Sequence, residues 1–356
     1  MKVVTILGTR PELIRLSVLI PKLDANCEHI IVHTGQNYDH SLNDVFIKEL
    51  GIRKPNYHLG ATGSFGEQIA KMMPPLEAIL LKEKPDAFLV LGDTNSSLGA
   101  IMAKRLGIRV FHMEAGNRCY DEKVPEEVNR RLIDHSSDIL LPYTERSRAN
   151  LLAEGIPGKR ILVTGNPIAE VMDAFHEQIG ESKALENLNV DPQRYLLVTL
   201  HRQENVDKPK RLAKFVKALN SLPEKYEMPI VWSLHPRTRQ QLSQPLHPDI
   251  KLVEPLGLFD FVRLEKNAYC VLTDSGTVQE ECAIFGVPVV TLRDTTERPE
   301  TIETGSNFIS GCEEQSIHRG IALATSTRGA PSPPEYQVDN VSDVVLKIVL
   351  GFYVAG

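Results

Sequence analysis

Short runs of consecutive apolar residues alternate along this chain with longer stretches in which apolar positions recur every three or four residues. The short runs fit buried strands and the longer stretches fit amphipathic helices. In the first half, predicted strands fall at 3–7, 30–33, 87–91, 110–113, 139–141 and 161–163, with predicted helices at 11–23, 64–82 and 97–106. Residues 175–190 lose strand character and are rich in Glu, Ser and Asn, which places a linker near them. A second series of predicted strands follows at 195–200, 229–234, 251–253, 270–273 and 287–291. The stretch 325–334 reads as a loop, and 338–353 as a helix with Val341, Val344, Val345, Ile348 and Val349 on one side. Uninterrupted apolar strands alternating with helices predict the α/β class: two Rossmann-like domains, each a parallel sheet covered on both faces. Residues 1–168 are expected to form the first and 169–337 the second, with the C-terminal helix at about 338–353 packing back on the first. Open α/β sheets bind ligands beyond the carboxyl ends of their strands, so the expected site is a central cleft that both sheets face.

A length of 356 residues suits two domains with a core each. The net charge of −6 lacks the basic excess of a nucleic-acid binder and leaves room only for a local cationic pocket. No apolar run approaches the roughly 18 residues that span a bilayer, and the apolar stretch before Gly8 is too short for a signal-peptide core. A cytoplasmic location without membrane or nucleic-acid partners is expected. The five cysteines, Cys27, Cys119, Cys270, Cys282 and Cys312, are odd in number and form no CxxC pair, which argues for reduced thiols rather than disulfides or zinc.

The informative polar residues follow the predicted strands. The first strand ends in Gly8-Thr9-Arg10-Pro11-Glu12, a turn into a helix whose N-terminus and arginine suit a phosphate. Gly92-Asp93-Thr94 and His112-Met113-Glu114 end two further strands, and Pro125-Glu126-Glu127-Val128-Asn129-Arg130 opens a helix. Singly, each acid has an ordinary explanation as a helix cap or a first-turn acid. Together, Asp93, Glu114 and one of Glu126 and Glu127 are expected to converge on one sheet edge, where neighbouring carboxylates suit acid–base work. In the second half, His201-Arg202 and His235-Pro236-Arg237 make two corners suited to a diphosphate. The run Thr273-Asp274-Ser275-Gly276-Thr277 is a strand, a turn and a helix start able to cradle a phosphate, with Glu281 placed to accept ribose hydroxyls. The stretch 293–300, with Arg293 and Arg298, is too polar and arginine-rich to be only a connector.

These runs together resemble the non-hydrolysing UDP-N-acetylglucosamine 2-epimerases. The matching stretches are GTRPE (8–12), GDT (92–94), HMEAGNR (112–118), PEEVNRR (125–131), TGNP (164–167), HRQEN (201–205), TDSGTVQEE (273–281) and RDTTERPE (293–300), in the family's order. The resemblance implies a GT-B-like fold and a chemistry that needs no cofactor, metal or nicotinamide. It implies loss of the C2 proton with expulsion of UDP from C1, giving 2-acetamidoglucal, then re-addition with protonation of the opposite face. By position it implies that Asp93, Glu114 and Glu126 are the acid–base carboxylates, the choice between Glu126 and Glu127 staying open, and that His201 is catalytic or contacts the diphosphate. Arg10, Arg15, Glu127, Arg130, His235, Ser275, Gly276 and Arg298 are implied contacts of the UDP-sugar, Glu281 of the ribose and Phe261 of the uracil. A homodimer supplying polysaccharide precursors is implied as well.

Several positions depart from the family pattern. Arg15 stands where the family usually has Lys, HMEAGNRC replaces HVEAGLRT, SGTVQEE replaces SGGIQEE, and His235-Pro236-Arg237-Thr238 replaces an HLNP-type turn. With the run His33-Thr34-Gly35-Gln36-Asn37-Tyr38-Asp39, these resemble a branch acting on 6-deoxy or otherwise modified UDP-sugars. A glycosyltransferase on the same fold and a non-catalytic sugar-nucleotide binder are the competing classes. The first requires an acceptor site, and the second gives no use for converging acids that repel a diphosphate.

Overall fold

The computed structural model describes residues 1–36 and 46–351. The chain divides into two compact units, Met1–Ala174 with Glu335–Gly356, and Phe175–Pro334. The first unit is built on six parallel strands: β1 Lys2–Leu7, β2 Glu28–His33, β3 Tyr57–His58, β4 Ala87–Leu91, β5 Arg109–Met113 and β6 Ile139–Leu141. Their spatial order is β3-β2-β1-β4-β5-β6. Every residue of β4 is buried, as expected of a strand covered by helices on both faces. The register sets Val3 beside Ala87 and Thr5 beside Leu89. Chain direction of travel reverses between β1 and β4, so the turns after these two strands flank the sheet's topological switch point.

The second unit repeats this order. Its strands are β7 Leu196–Thr199, β8 Ile230–Ser233, β9 Ile250–Val253, β10 Cys270–Thr273, β11 Val289–Thr291 and β12 Asn307–Ile309, ordered β12-β11-β10-β7-β8-β9. Its switch point lies between β7 and β10. The two faces of the sheet bury alternate residues. Leu196, Val198, Trp232 and Leu272 enter one core layer, and Leu197, Val231, Val271 and Val289 the other.

The C-terminal helix Val341–Gly351 belongs to the first unit and packs against the helix Leu19–Asn26. Val341, Val345 and Val349, one turn apart, form its buried stripe. Lys22 Nζ donates to Ser342 Oγ at 2.7 Å and to Asp343 Oδ1 at 2.6 Å, and the Ser342 amide donates to Glu170 at 2.8 Å.

Some sequence expectations are corrected. The expected helix at 11–23 is two helices, Arg10–Leu16 and Leu19–Asn26. Pro21 has no N–H to give the carbonyl of Ser17, and the Ser17 hydroxyl turns back to Ile14 O at 2.7 Å. The expected strand at 161–163 is reduced to one bridge between Ile161 and Leu140. Leu162 N donates to Leu140 O and Thr164 N to Pro142 O, but Pro142 lacks the N–H that would return the bond between them. The division between the units, after Ala174, falls at the start of the stretch where the linker was expected, and that stretch itself contains the helices His176–Glu181 and Ala184–Leu188, whose Ile179, Ala184 and Leu185 are buried. The expected loop at 325–334 begins late, because the helix Glu314–Ser326 runs into it. Asn37, Tyr38 and Asp39, and the last two residues of the expected C-terminal helix, lie outside the described residues.

Candidate functional site

Two turns meet at the switch point of the first sheet. Gly8, after β1, admits no side chain: an added Cβ would lie 1.9 Å from Thr34 Oγ1 and 2.3 Å from Ser96 Oγ. Three residues beyond Thr9, Glu12 folds back into this turn. One of its oxygens accepts the amides of Gly8 at 2.9 Å and Thr9 at 2.7 Å and the Thr9 hydroxyl at 2.8 Å, while the other accepts the Thr94 hydroxyl at 2.9 Å. Glu12 therefore ties the β1 turn to the turn carrying Asp93. Burial pushes its carboxyl up to about 7, against the opposing hydrogen bonds from Thr9, Gly8 and Thr94. Glu12 was not among the expected site residues. Its signal was present as Thr9-x-x-Glu12, the spacing of a capping box.

The acids of this edge are matched by buried arginines. Asp93 Oδ2 accepts Arg130 Nε at 2.8 Å, and the Asp93 carbonyl accepts Asn129 Nδ2 at 2.9 Å. Glu114, directly after β5, has φ +65°, a left-handed conformation that costs a non-glycine residue roughly 1–2 kcal/mol. That conformation aims its carboxylate at Arg15 Nε, 3.6 Å away, with Asn117 Nδ2 at 3.3 Å and Tyr143 OH at 3.5 Å. A Cβ on Gly92, itself at φ +72°, would stand 3.5 Å from Glu114 Oε2, so the two turns come close.

The helix Pro125–Ser136 separates the two adjacent glutamates. Glu127 is buried and accepts the amides of Cys119 and Tyr120, each at 3.1 Å, and Arg130 Nη1 at 2.7 Å. Burial alone would raise its carboxyl, but the Cys119 amide and Arg130 outweigh it and hold the group below the usual carboxylate range. Glu126, one position earlier, is half-buried. On the same helix, fully buried Asp134 joins three segments. It faces His112 Nδ1 at 2.8 Å and Arg118 Nη2 at 2.8 Å and accepts the Gly116 amide at 3.2 Å. His112 Nε2 in turn lies 2.9 Å from the Gly92 carbonyl. Burial opposes the charge on Asp134, and His112 and Arg118 overcome it, lowering its pKa.

The switch point of the second sheet is organised by Asp274, fully buried after β10. It accepts the amides of His201 at 3.0 Å and Arg202 at 2.8 Å and Asn205 Nδ2 at 3.1 Å. His201 Nδ1 lies 3.2 Å from the same carboxylate, which orients the ring. The His235 ring is 5.5 Å from that of His201, with its Nδ1 accepting the Arg237 amide at 3.2 Å as the cap of the helix Pro236–Gln241.

Next to this corner begins the helix Gly276–Phe285, with Ser275 at its N-cap and the Ser275 amide donating to Thr273 Oγ1 at 3.0 Å. A Cβ on Gly276 would meet Glu297 Oε1 at 2.5 Å, so only glycine admits that carboxylate beside the helix N-terminus. Glu297 also faces Arg202 Nη2 at 3.4 Å and Arg293 Nη1 at 2.6 Å. Arg298 pairs through Nε with buried Glu280. Glu281 is buried further along the helix, and Phe261 is half-buried against the core layer that includes Val278 and Cys282. Arg10, back in the first unit, stacks its guanidinium 5.0 Å from the Phe46 ring centre.

The structure thus joins Asp93, Glu127 and Arg130; Arg15 and Glu114; and His201 and His235. It places Ser275 and Gly276 at one helix start, with Arg298 held on the same helix through Glu280. Among the described residues, no group of three or more His, Cys, Asp and Glu side chains is arranged to hold a metal ion, and no helix is long and apolar enough to cross a membrane.

With this geometry in view, residues 22–350 match the family profile described as UDP-N-acetylglucosamine 2-epimerase. The chain is 43% identical over 339 residues to a Methanocaldococcus jannaschii protein of that name, covering 91% of this chain and 92% of the relative. It is 38% identical over 324 residues to the Pseudomonas aeruginosa UDP-2,3-diacetamido-2,3-dideoxy-D-glucuronate 2-epimerase, covering 89% and 90%. Among solved structures, the M. jannaschii UDP-GlcNAc 2-epimerase in complex with UDP-GlcNAc and UDP superposes with a TM-score of 0.93 at 40% identity, covering 98% of this chain and 99% of that one. The Neisseria meningitidis enzyme bound to UDP-GlcNAc gives a TM-score of 0.89 at 29% identity, with 99% and 100% covered. The paired Rossmann-like sheets are those of the GT-B-like class to which these neighbours belong.

Proposed function

Because the chain belongs to the UDP-N-acetylglucosamine 2-epimerase family, we propose that it interconverts a UDP-N-acetylhexosamine with its C2 epimer by eliminating and re-adding UDP. The observation that supports this most is the edge of the first sheet, where Asp93 and Glu114 sit after adjacent strands and each is matched by a buried arginine. The arginine contacts fix the direction in which each carboxylate points.

In this reading one carboxylate takes the C2 proton while the C1–oxygen bond to the diphosphate breaks, leaving 2-acetamidoglucal and UDP. UDP then re-adds at C1 as C2 is protonated from the other face. Inversion needs a proton donor or acceptor on each face, which one carboxylate cannot easily provide. Asp93, Glu114 and Glu126 are the proposed acid–base groups. Glu126 is preferred over Glu127 because the latter already holds the 119–120 backbone and Arg130. The second sheet stabilises the leaving group. His201, the start of the helix Gly276–Phe285, and Arg298 grip the diphosphate, and Glu281 and Phe261 hold the uridine. Arg10, Arg15, Arg130 and His235 complete the proposed contacts, Arg130 and Glu127 acting by positioning Asp93. A role in supplying cell-surface polysaccharide precursors, a homodimeric state and a cytoplasmic location go with this proposal.

A second substrate reading, a diacetamido or otherwise modified sugar with the same chemistry, is supported by the 38% identity to the diacetamido-glucuronate epimerase. Incubation of UDP-GlcNAc and a panel of modified UDP-sugars in heavy water, without any acceptor, tests both. Deuterium at C2 with the UDP linkage intact is the expected outcome, and the fastest sugar identifies the substrate. Transfer only when an acceptor is added, or no C2 exchange with any sugar, would rule the epimerase reading out.

A further inference from the structure

Glu265 is a fully buried acid for which the proposed chemistry has no use. It lies on the helix Leu258–Asn267, beside the apolar layer of Leu197, Leu264, Val271 and Cys282. Its Oε1 accepts only the Cys282 thiol, at 3.1 Å, and its Oε2 is buried without a hydrogen-bond donor among the described residues. The carboxyl of Glu281, on the neighbouring helix, stands opposite it at hydrogen-bonding range. Two carboxylates cannot form a hydrogen bond unless one of them holds a proton. The surroundings decide which. A weak thiol donor and an apolar wall cannot sustain a charge on Glu265. Burial first, and the Glu281 charge second, hold its carboxyl well above the usual range. Cys282 and Tyr195 are further titratable groups near it, with Cys270 close to Cys282 and Arg263 close to Tyr195.

We propose that Glu265 is a neutral carboxylic acid that donates its proton to Glu281, and so is the positioning residue that keeps Glu281 ionised and turned toward the ribose hydroxyls. The inference rests on the reading of Glu281 as the ribose acceptor. An acid-to-carboxylate hydrogen bond is short and strong and removes the orphaned Oε2 in one step. It also explains why an acid occupies this place, since a leucine of similar size could not donate to Glu281.

Two measurements on the full-length protein test it. Infrared spectra at pH 8 of wild type and Glu265→Gln should show a protonated-carboxyl C=O band in the wild type that the variant lacks. If no band depends on Glu265, the proposal fails. Calorimetric affinities for UDP and 2′-deoxy-UDP then read the ribose contact, with wild type expected to prefer UDP by about 10-fold. Glu265→Gln, whose amide N–H replaces the O–H, keeps that preference, and Glu265→Leu reduces it to less than about two-fold. A full preference in Glu265→Leu, or its loss in Glu265→Gln, overturns the positioning role. If Glu281→Gln keeps the full preference, the ribose reading itself fails, and the infrared band distinguishes that failure from a misplaced proton.

Discussion

At the β1/β4 switch of the first sheet, Glu12 and Asp93 gather with Glu114 of the neighbouring strand end, their charges met by hydroxyls, amides and two buried arginines. At the β7/β10 switch of the second sheet the polarity is reversed. There a helix start, His201, Arg202, Arg293 and Arg298 gather, and Asp274, Glu280 and Glu297 serve as counter-charges that hold them. Both edges come from one strand order, so topology supplies only the location. The chemistry comes from the two or three residues after each strand. An acidic edge suits proton transfer at carbon, and a cationic edge suits a departing diphosphate.

The largest expected effects separate the two edges kinetically. Asp93→Asn and Glu114→Gln should each lower kcat by about 10²–10⁴-fold and leave UDP affinity within about three-fold. Arg298→Lys keeps the charge but loses the planar fork, so KM should rise about 10-fold with kcat little changed. If the Asp93 variant loses UDP binding, or the Arg298 variant loses only kcat, the division of labour is wrong. A smaller effect concerns the hubs. Asp274→Ala removes the acceptor of the half-buried His201 and Arg202 amides and one acceptor of buried Asn205, and should destabilise the second unit by roughly 3 kcal/mol in urea unfolding.

The two kinds of buried acid also predict opposite pH dependence. Glu12 is raised to about 7, so its folded form binds a proton that the unfolded form releases. Its contribution is fully present below the ordinary carboxylate range and is lost as pH rises through about 7, a swing of about 3 kcal/mol. Asp134 is lowered, so its contribution is present above that range and is lost as pH falls below it. Glu12→Gln should flatten the stability profile between pH 5 and 8, and Asp134→Asn should flatten only its acid limb. The smallest effect is His235→Ala, which removes a helix cap and should cost about 1 kcal/mol, in contrast to the kcat loss expected of His201→Ala.

The strands could be read from the sequence because each is a short, uninterrupted apolar run, and the polar residues after them located both edges. Strand order could not, since buried parallel strands look alike. Without order, the partners of each acid stayed hidden: Arg130 for Asp93, Arg15 for Glu114, and Asp274 for the His201 turn. β3 and β12 were missed because two or three mixed residues show no period. Pro21 and Pro142 broke elements through an absent N–H whose partner lies in space or one turn back. Glu12 and Glu265 escaped notice because an acid on a helix ordinarily faces solvent, and only the packed structure shows these two buried.

The elimination step is tested most directly by a UDP-sugar carrying a heavy-oxygen label in the bridge between C1 and the β-phosphorus. Reversible departure of UDP predicts that the label scrambles into the non-bridging β-phosphate positions while C2 inverts. Inverted product with the label still wholly in the bridge would contradict the account.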